Sequence, residues 1–398
     1  MKNILFFFFI FFVKTSIAQN FSNSVIVGAA QMNEYLPWLK NKKVALLVNQ
    51  TSVVKKTHLV DTLLSQKINI VKIFAPEHGF RGTADAGEKV KSGIDAKTNI
   101  AISSMYGANK KPSKESMQGI DIVVFDIQDV GARFYTYISS MQYMMEACAQ
   151  ANIPMVILDR PNPNGFYIDG PVLEKKYASF VGMQCVPIVH GMTVAEYAQM
   201  LNGEKYLNGK FHCNLKIVTC KNYDHNTYYK LPIAPSPNLK SASAVFLYPS
   251  LCLFEGTIVS VGRGTDKPFE VWGHPSFKNN GFNFVPKSTE GAKNPLYENE
   301  TCYGANLSLP PYDVLKIINK KLNLSFIQNA YKLCKNKEKF FNSFFEKLAG
   351  NSFLKQQIEQ GKTEKEIRDS WQADLEKFKK IRKKYLLYRD FTEGIDME

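Results

Sequence analysis

The chain has cysteines but not the spacing that would make them informative. Seven are scattered at 148, 185, 213, 220, 252, 302 and 334 with no C-x-x-C pair, so no structural zinc site is expected. A chain of 398 residues with 45% apolar content has enough core not to need a disulfide framework. Buried free thiols are the expected state, although Cys213 and Cys220 flank a strand-like stretch and are the one pair with a case for bonding. Other signatures are missing too. There is no G-x-S-x-G elbow, no P-loop and no H-E-x-x-H, which removes the common serine-hydrolase, phosphate-loop and zinc-protease readings. Ser52-Val53-Val54-Lys55 has S-x-x-K spacing without an accompanying S-D-N or K-T-G. In Gly262-Arg263-Gly264 the dinucleotide fingerprint fails, because Lys267 stands where its third glycine belongs. His78, His190, Asp126 and Asp129 show no chelating spacing, and no cofactor is expected.

Acidic residues are the scarcer sign, 36 against 50 lysines and arginines, for a formal net charge of +14. Such a surplus suits an anionic partner. The basic residues Lys377, Lys379, Lys380, Arg382, Lys383 and Lys384 read as the solvated face of a last helix, with Phe378 of the same stretch on its buried stripe rather than among them, so nucleic acid is not expected. Long apolar runs are confined to the start. Lys2, the stretch Ile4 to Val13 and Ser16-Ile17-Ala18 before Gln19 have the three parts of a signal peptide, residues 1–18. Its apolar part is too short for a retained span, and no cysteine follows the cleavage point to take a lipid. The expectation is an exported protein, periplasmic or extracellular, without an integral membrane segment. Its charge falls by two, to +12, once Lys2 and Lys14 leave.

What is present is an alternation of short β-branched runs with helical patterns. Val44 to Asn49, Ile68 to Phe74, Ile120 to Asp126 and Met155 to Asp159 read as buried parallel strands. His58 to Gln66 and Thr136 to Ala151 read as helices between them, which makes a doubly wound α/β unit. Thr193 and Glu196 form a capping box for a helix to about Asn202. The proline-rich crossing Leu231 to Asn238 places a boundary near residue 240. The division expected is 19–240 as the catalytic unit and 241–398 as a smaller α+β unit. The latter ends in one long helix that opens at Thr363 with Glu366 as a second capping box and carries Ile367, Trp371, Leu375, Phe378, Ile381 and Tyr385 as a buried stripe.

Polar residues are concentrated where these strands end, the place where open α/β sheets bind ligands. The first cluster is Ala75-Pro76-Glu77-His78-Gly79-Phe80-Arg81-Gly82. Glu77 is the leading candidate for a general acid, since a strand tip can supply the burial that holds a proton near neutrality; the competing role is a salt bridge to Arg81. The second cluster holds Asp126, Gln128, Asp129, Arg133, Tyr135 and Tyr137. Two carboxylates on neighbouring strand ends can stand about 5–9 Å apart, the range used in glycoside hydrolysis. Either aspartate is equally open to a capping or arginine-pairing role. Arg133 and Tyr135 offer a guanidinium fork and a phenol for an oxygen-rich ligand. A third tip carries Asp159, Arg160, Asn162 and Asn164. His190 precedes the capped helix, with structural and binding roles equally open, and Glu196 reads as a cap. In the C-terminal part, Phe254-Glu255-Gly256-Thr257 and Gly262-Arg263-Gly264-Thr265-Asp266 bring an acid and an arginine that could close the cleft from the other side. Asp85 and Glu88 read as a solvated loop.

These clusters, together with Leu158 to Pro163 and Val189 to Thr193, resemble in order and over the whole mature chain the DUF1343 family, which includes the NamZ-type exo-β-N-acetylmuramidases. The resemblance implies a Rossmann-like N-terminal domain, a smaller C-terminal domain and an active cleft between them. It also implies release of N-acetylmuramic acid from the non-reducing end of peptidoglycan fragments, with muropeptides or their disaccharides as partners and Glu77 as the catalytic acid. A muramic substrate carries a lactyl carboxylate that an arginine fork can clasp; Arg81, Arg133, Arg160 and Arg263 are the candidates. Asp126 or Asp129 would then serve as nucleophile, general base or orienter of the 2-acetamido group, by a retaining or inverting route. The alternatives from other classes are a non-catalytic muropeptide-binding protein and a metal-dependent hydrolase or deacetylase.

Overall fold

The computed structural model describes residues 25–77, 79–80, 92–107, 110–209, 211–279 and 281–392. The signal-peptide expectation, His78, Arg81 and the Asp85–Glu88 loop therefore lie outside the described residues.

The chain opens with helix α1 (Met32–Leu39), strand β1 (Lys43–Val48) and a two-stranded ribbon, β2 (Val53–Val54) and β3 (Thr57–His58). Helix α2 (Leu59–Ser65), β4 (Asn69–Ala75), β5 (Gly93–Ile94), β6 (Ala101–Ser104) and β7 (Ile122–Asp126) follow. Then come α3 (Tyr137–Ala151), β8 (Met155–Leu158), α4 (Val194–Gly203), β9 (Leu215–Val218) and α5 (Ala242–Leu251). The central sheet runs β5-β6-β4-β1-β7-β8-β9 and is parallel except at the β5 edge. Strand order turns around β1: the chain builds outward to β4 and β6 on one side, then returns to lay β7, β8 and β9 on the other. That reversal leaves a crevice at the carboxyl ends of the strands.

The period-2 pattern of β1 explains why both faces are covered. Ala45 and Leu47 join one apolar cluster, and Val44, Leu46 and Val48 join the other. Helices α1 and α2 cover the second face through Tyr35, Leu39, Leu59 and Leu63. Helices α3, α4 and α5 cover the first, and that cluster continues without a break into Phe254, Phe345, Trp371 and Phe378 of the C-terminal half.

The C-terminal half holds a three-stranded antiparallel sheet, β10 (Val271–His274), β12 (Cys302–Asn306) and β11 (Asn283–Phe284), in the order β10-β12-β11. Around it stand α6 (Pro311–Ile318), α7 (Ser325–Leu333), α8 (Phe345–Ala349), α9 (Phe353–Glu359), α10 (Glu364–Asp369) and α11 (Gln372–Lys383). Both expected capping boxes form, at Thr193–Glu196 and Thr363–Glu366. The expected single last helix is two, α10 and α11, separated at Ser370 and Trp371. There Ser370 Oγ bonds back to the Ile367 carbonyl at 2.6 Å, competing with the helical ladder. The sheet also extends past β4 through β6 and β5, where the sequence reads as loop up to Gly119. These short strands carry polar and half-exposed residues, so no apolar run marks them. Cys213 and Cys220 are unbonded free thiols. Among the described residues no helix is long and apolar enough to cross a membrane.

Candidate active site

A cavity of about 910 Å³ opens at the crevice. Glu77, Tyr106, Tyr135 and Thr136 line it from the strand tips, and Tyr248, Glu255, Arg263, Phe269 and Lys347 from the C-terminal half. Glu77 lies two residues past β4, half-buried, with Pro76 buried behind it. Thr136 Oγ1, at the start of α3, donates to Glu77 Oε2 at 2.7 Å. The Tyr106 phenol, just past β6, is hydrogen-bonded to Glu77 as well; burial and then the Glu77 charge push this phenol above its ordinary range. Three strand-tip loops thus fix one carboxylate in the mouth of a polar cavity.

An aromatic wall leads away from it. Tyr135 and Tyr137 stand edge to face with centroids 4.9 Å apart, Tyr135 meets Tyr248 at 5.6 Å, and Tyr248 meets Phe269 at 5.0 Å. The Tyr135 and Tyr137 hydroxyls both donate to the Pro235 carbonyl, at 2.8 and 3.3 Å, which ties the proline-rich crossing over the sheet. The Arg263 guanidinium lies 5.0 Å from the Phe269 centroid. Its Nε and Nη2 both reach Glu255 Oε1 at 2.7 Å. Among the described residues Glu255 Oε2 receives only the weak Cys252 thiol donor, at 3.5 Å.

The other sequence candidates are placed elsewhere. Asp126 is fully buried and takes Arg160 Nε at 2.6 Å and Nη2 at 2.9 Å, a bidentate pair. Arg160 Nη2 also donates to the Val53 carbonyl at 3.1 Å, so neither group faces the cavity. Asp129 is buried, with Oδ1 accepting from Gly131 N at 2.7 Å and Oδ2 without a partner among the described residues. Burial pushes its carboxyl up to about 7. The expectation that one of these aspartates meets substrate is thus corrected: the first neutralises an internal arginine and the second is shut away beside Tyr135 and Tyr137. Gln128 Nε2 is spent on the Asp129 and Pro161 carbonyls. Arg133 gives Nη1 to the Pro171 and Val186 carbonyls and Nη2 to those of Leu348 and Ala349, all at 2.7–2.9 Å. Asn162 bridges the Met192 carbonyl and Asn164 N. His190 is buried, its pKa pushed down to about 3 by burial and then by the charges of Arg382 and Arg133. All four are framework rather than lining. Burial with internal partners removes them from substrate.

Glu77, Tyr135, Glu255 and Arg263 are the described candidates that share the cavity. Sequence reasoning missed Thr136, Tyr106, Tyr248 and Lys347. Thr136 sits between two singled-out tyrosines, so its place in that motif was the available signal; the others carry none. Among the described residues no group of three His, Cys, Asp or Glu side chains is arranged to hold a metal ion.

Fold and site together describe a doubly wound α/β protein with a polar, carboxylate-bearing cleft at its strand tips. Residues 44–243 match the family described as exo-β-N-acetylmuramidase NamZ, N-terminal, and residues 246–388 match its C-terminal counterpart. The chain belongs to this family. It is 39% identical over 376 residues to the peptidoglycan β-N-acetylmuramidase NamZ of Bacillus subtilis (strain 168), a match covering 89% of each chain. Two crystal structures of DUF1343 family proteins from Bacteroides fragilis NCTC 9343 resemble it. One has a TM-score of 0.85 at 49% identity and the other 0.74 at 29%, each covering 92% of this chain and 99% of its own.

Proposed function

We propose that this chain is an exported glycoside hydrolase, an exo-acting β-N-acetylmuramidase that releases N-acetylmuramic acid from the non-reducing end of peptidoglycan fragments, with Glu77 as its general acid. The observation that carries the residue assignment is the Glu77 carboxylate, held by Thr136 and Tyr106 at the edge of a 910 Å³ cavity. Such a volume accommodates a sugar unit with its substituents. Glu77 gives its proton to the glycosidic oxygen as the bond to the anomeric carbon breaks. Thr136 and Tyr106 orient the carboxyl, so the proton is delivered from a fixed position. With Asp126 and Asp129 turned away from the cavity, the second carboxylate of the reaction is Glu255, whose Oε2 meets no strong donor among the described residues and whose Oε1 is held by Arg263.

The test is turnover of a chromogenic β-N-acetylmuraminide beside the matching N-acetylglucosaminide, with and without chelator. Chelator-insensitive release from the muraminide alone is expected. For a substrate with an unactivated leaving group, Glu77→Gln should lose roughly 10²–10⁴-fold in kcat. Full activity in that variant would overturn the acid assignment. Stoichiometric muropeptide binding without turnover would replace the enzyme by a binding protein.

A further inference from the structure

Among the described residues the cavity presents four cationic side chains, Lys110, Arg263, Lys293 and Lys347, against two carboxylates, Glu77 and Glu255. That surplus favours a ligand with its own negative charge. Of the four arginines weighed from sequence, Arg133 and Arg160 are consumed inside the protein, and Arg81 lies outside the described residues. We infer that Arg263 is the specificity-determining residue of this site, its free guanidinium edge receiving the lactyl carboxylate that separates a muramic from a glucosaminic sugar. The inference rests on the muramidase reading and adds the residue that would enforce it.

Three observations carry it. A guanidinium has five N–H donors, and Glu255 takes one on Nε and one on Nη2. The outer edge formed by Nη1 and the second Nη2 hydrogen is left without a protein partner among the described residues, with the geometry that accepts a carboxylate through two parallel bonds. Second, the arginine is preorganised. Gly262 and Gly264 on either side have φ of +74° and +81°, and a Cβ at either would meet Val271 at 2.4 Å or the Lys287 carbonyl at 2.5 Å. Only glycine fits, so the backbone under Arg263 is locked, while Phe269 and Glu255 hold the guanidinium from below and behind. Third, the pair is about a quarter exposed, 24% for Arg263 and 26% for Glu255, so the free edge is reachable from the cavity. The lysines sit on flexible stems as point charges and lack this fork. Because Arg263 also holds Glu255, a carboxylate docked on its outer edge fixes the sugar relative to the second acid.

The decisive comparison uses three glycosides of one leaving group: the muraminide, the same sugar with its lactyl carboxyl converted to the methylamide, and the glucosaminide. The wild type should prefer the muraminide over the methylamide by roughly 10- to 100-fold in kcat/KM, the range for a hydrogen-bonded charge. Arg263→Gln should bring that ratio close to one, whatever it does to the common rate through Glu255, and Arg263→Lys should restore part of it. An unchanged ratio in Arg263→Gln, or a wild type indifferent to the methylamide, overturns the assignment. Calorimetric affinity for free N-acetylmuramic acid and its methylamide gives the same ratio without turnover. A wild type that binds selectively but hydrolyses nothing therefore defeats the enzyme reading and leaves Arg263 supported.

Discussion

Thr136 and Glu77 are 59 residues apart and meet at 2.7 Å, whereas Asp126, three residues from Asp129, shares no role with it. The identity of a carboxylate says little until its partners are known. Asp126 is matched by Arg160 with both oxygens and no exposure; Glu255 is matched through one oxygen in a partly open cavity. The two should respond oppositely to the same chemical change. Asp126→Asn leaves the Arg160 charge buried without an ionic partner and should cost about 3–5 kcal/mol of stability, with the folded fraction keeping wild-type kcat. Glu255→Gln should leave stability within about 1 kcal/mol, as expected for a partly solvated pair, and lower kcat by roughly 100-fold or more. Chemical denaturation beside steady-state kinetics of both variants checks the pair, and an inactive but fully stable Asp126→Asn would return that aspartate to the mechanism.

At the scale of elements, the loop from β7 to α3 packs its polar residues inward, and this has a pH signature. Burial raises the Asp129 carboxyl from its ordinary 3.8 to about 7. Below about pH 4 the folded and unfolded chains both hold this proton. From there to about 7 the unfolded chain loses it and the folded chain keeps it, so the group's contribution falls as pH rises. Asp129→Asn should therefore flatten the decline in thermal stability across pH 4 to 7 relative to wild type. Asp159, also raised to about 7 by burial, and His190, lowered to about 3, are common to both proteins and cancel in the comparison. Parallel Tm–pH curves for variant and wild type would show that Asp129 titrates normally.

At the scale of the molecule, two buried arginines join the halves of the chain. Arg133 reaches from the sheet side to the Leu348 and Ala349 carbonyls, beside Lys347 and Leu348 of the cavity wall. Arg382 of α11 reaches back to the Gly191 carbonyl, before α4, and to Asp390. With one apolar cluster running through both halves, cleft geometry and global stability are coupled. Arg133→Gln strands several buried carbonyls and should cost at least about 3 kcal/mol, while raising KM because the 347–348 wall loosens. Urea unfolding and KM measured together check this; a stable variant with unaltered KM would mean that the wall is positioned without Arg133.

Local information was sufficient for much of this protein. Strands β1, β4, β7 and β8 were legible because burial on both faces demands continuous apolar runs, and the capping boxes because they close within four residues. The concentration of polar groups at strand ends followed from the same periodicity, so Glu77 could be picked from its place in the chain. Which polar groups face outward could not be read this way. Asp126 and Glu255, Arg160 and Arg263 are chemically matched pairs, and neither composition nor spacing tells an internal ion pair from one that lines a cavity. Tyr106 and Thr136 come to Glu77 only through the order β6-β4-β1-β7, and Arg263 comes to the same cavity only because the C-terminal half packs onto that end of the sheet. Exposure is a property of the packed chain: sequence determined the residue types and the elements carrying them, and tertiary packing decided which charges were spent inside and which were left to meet a ligand.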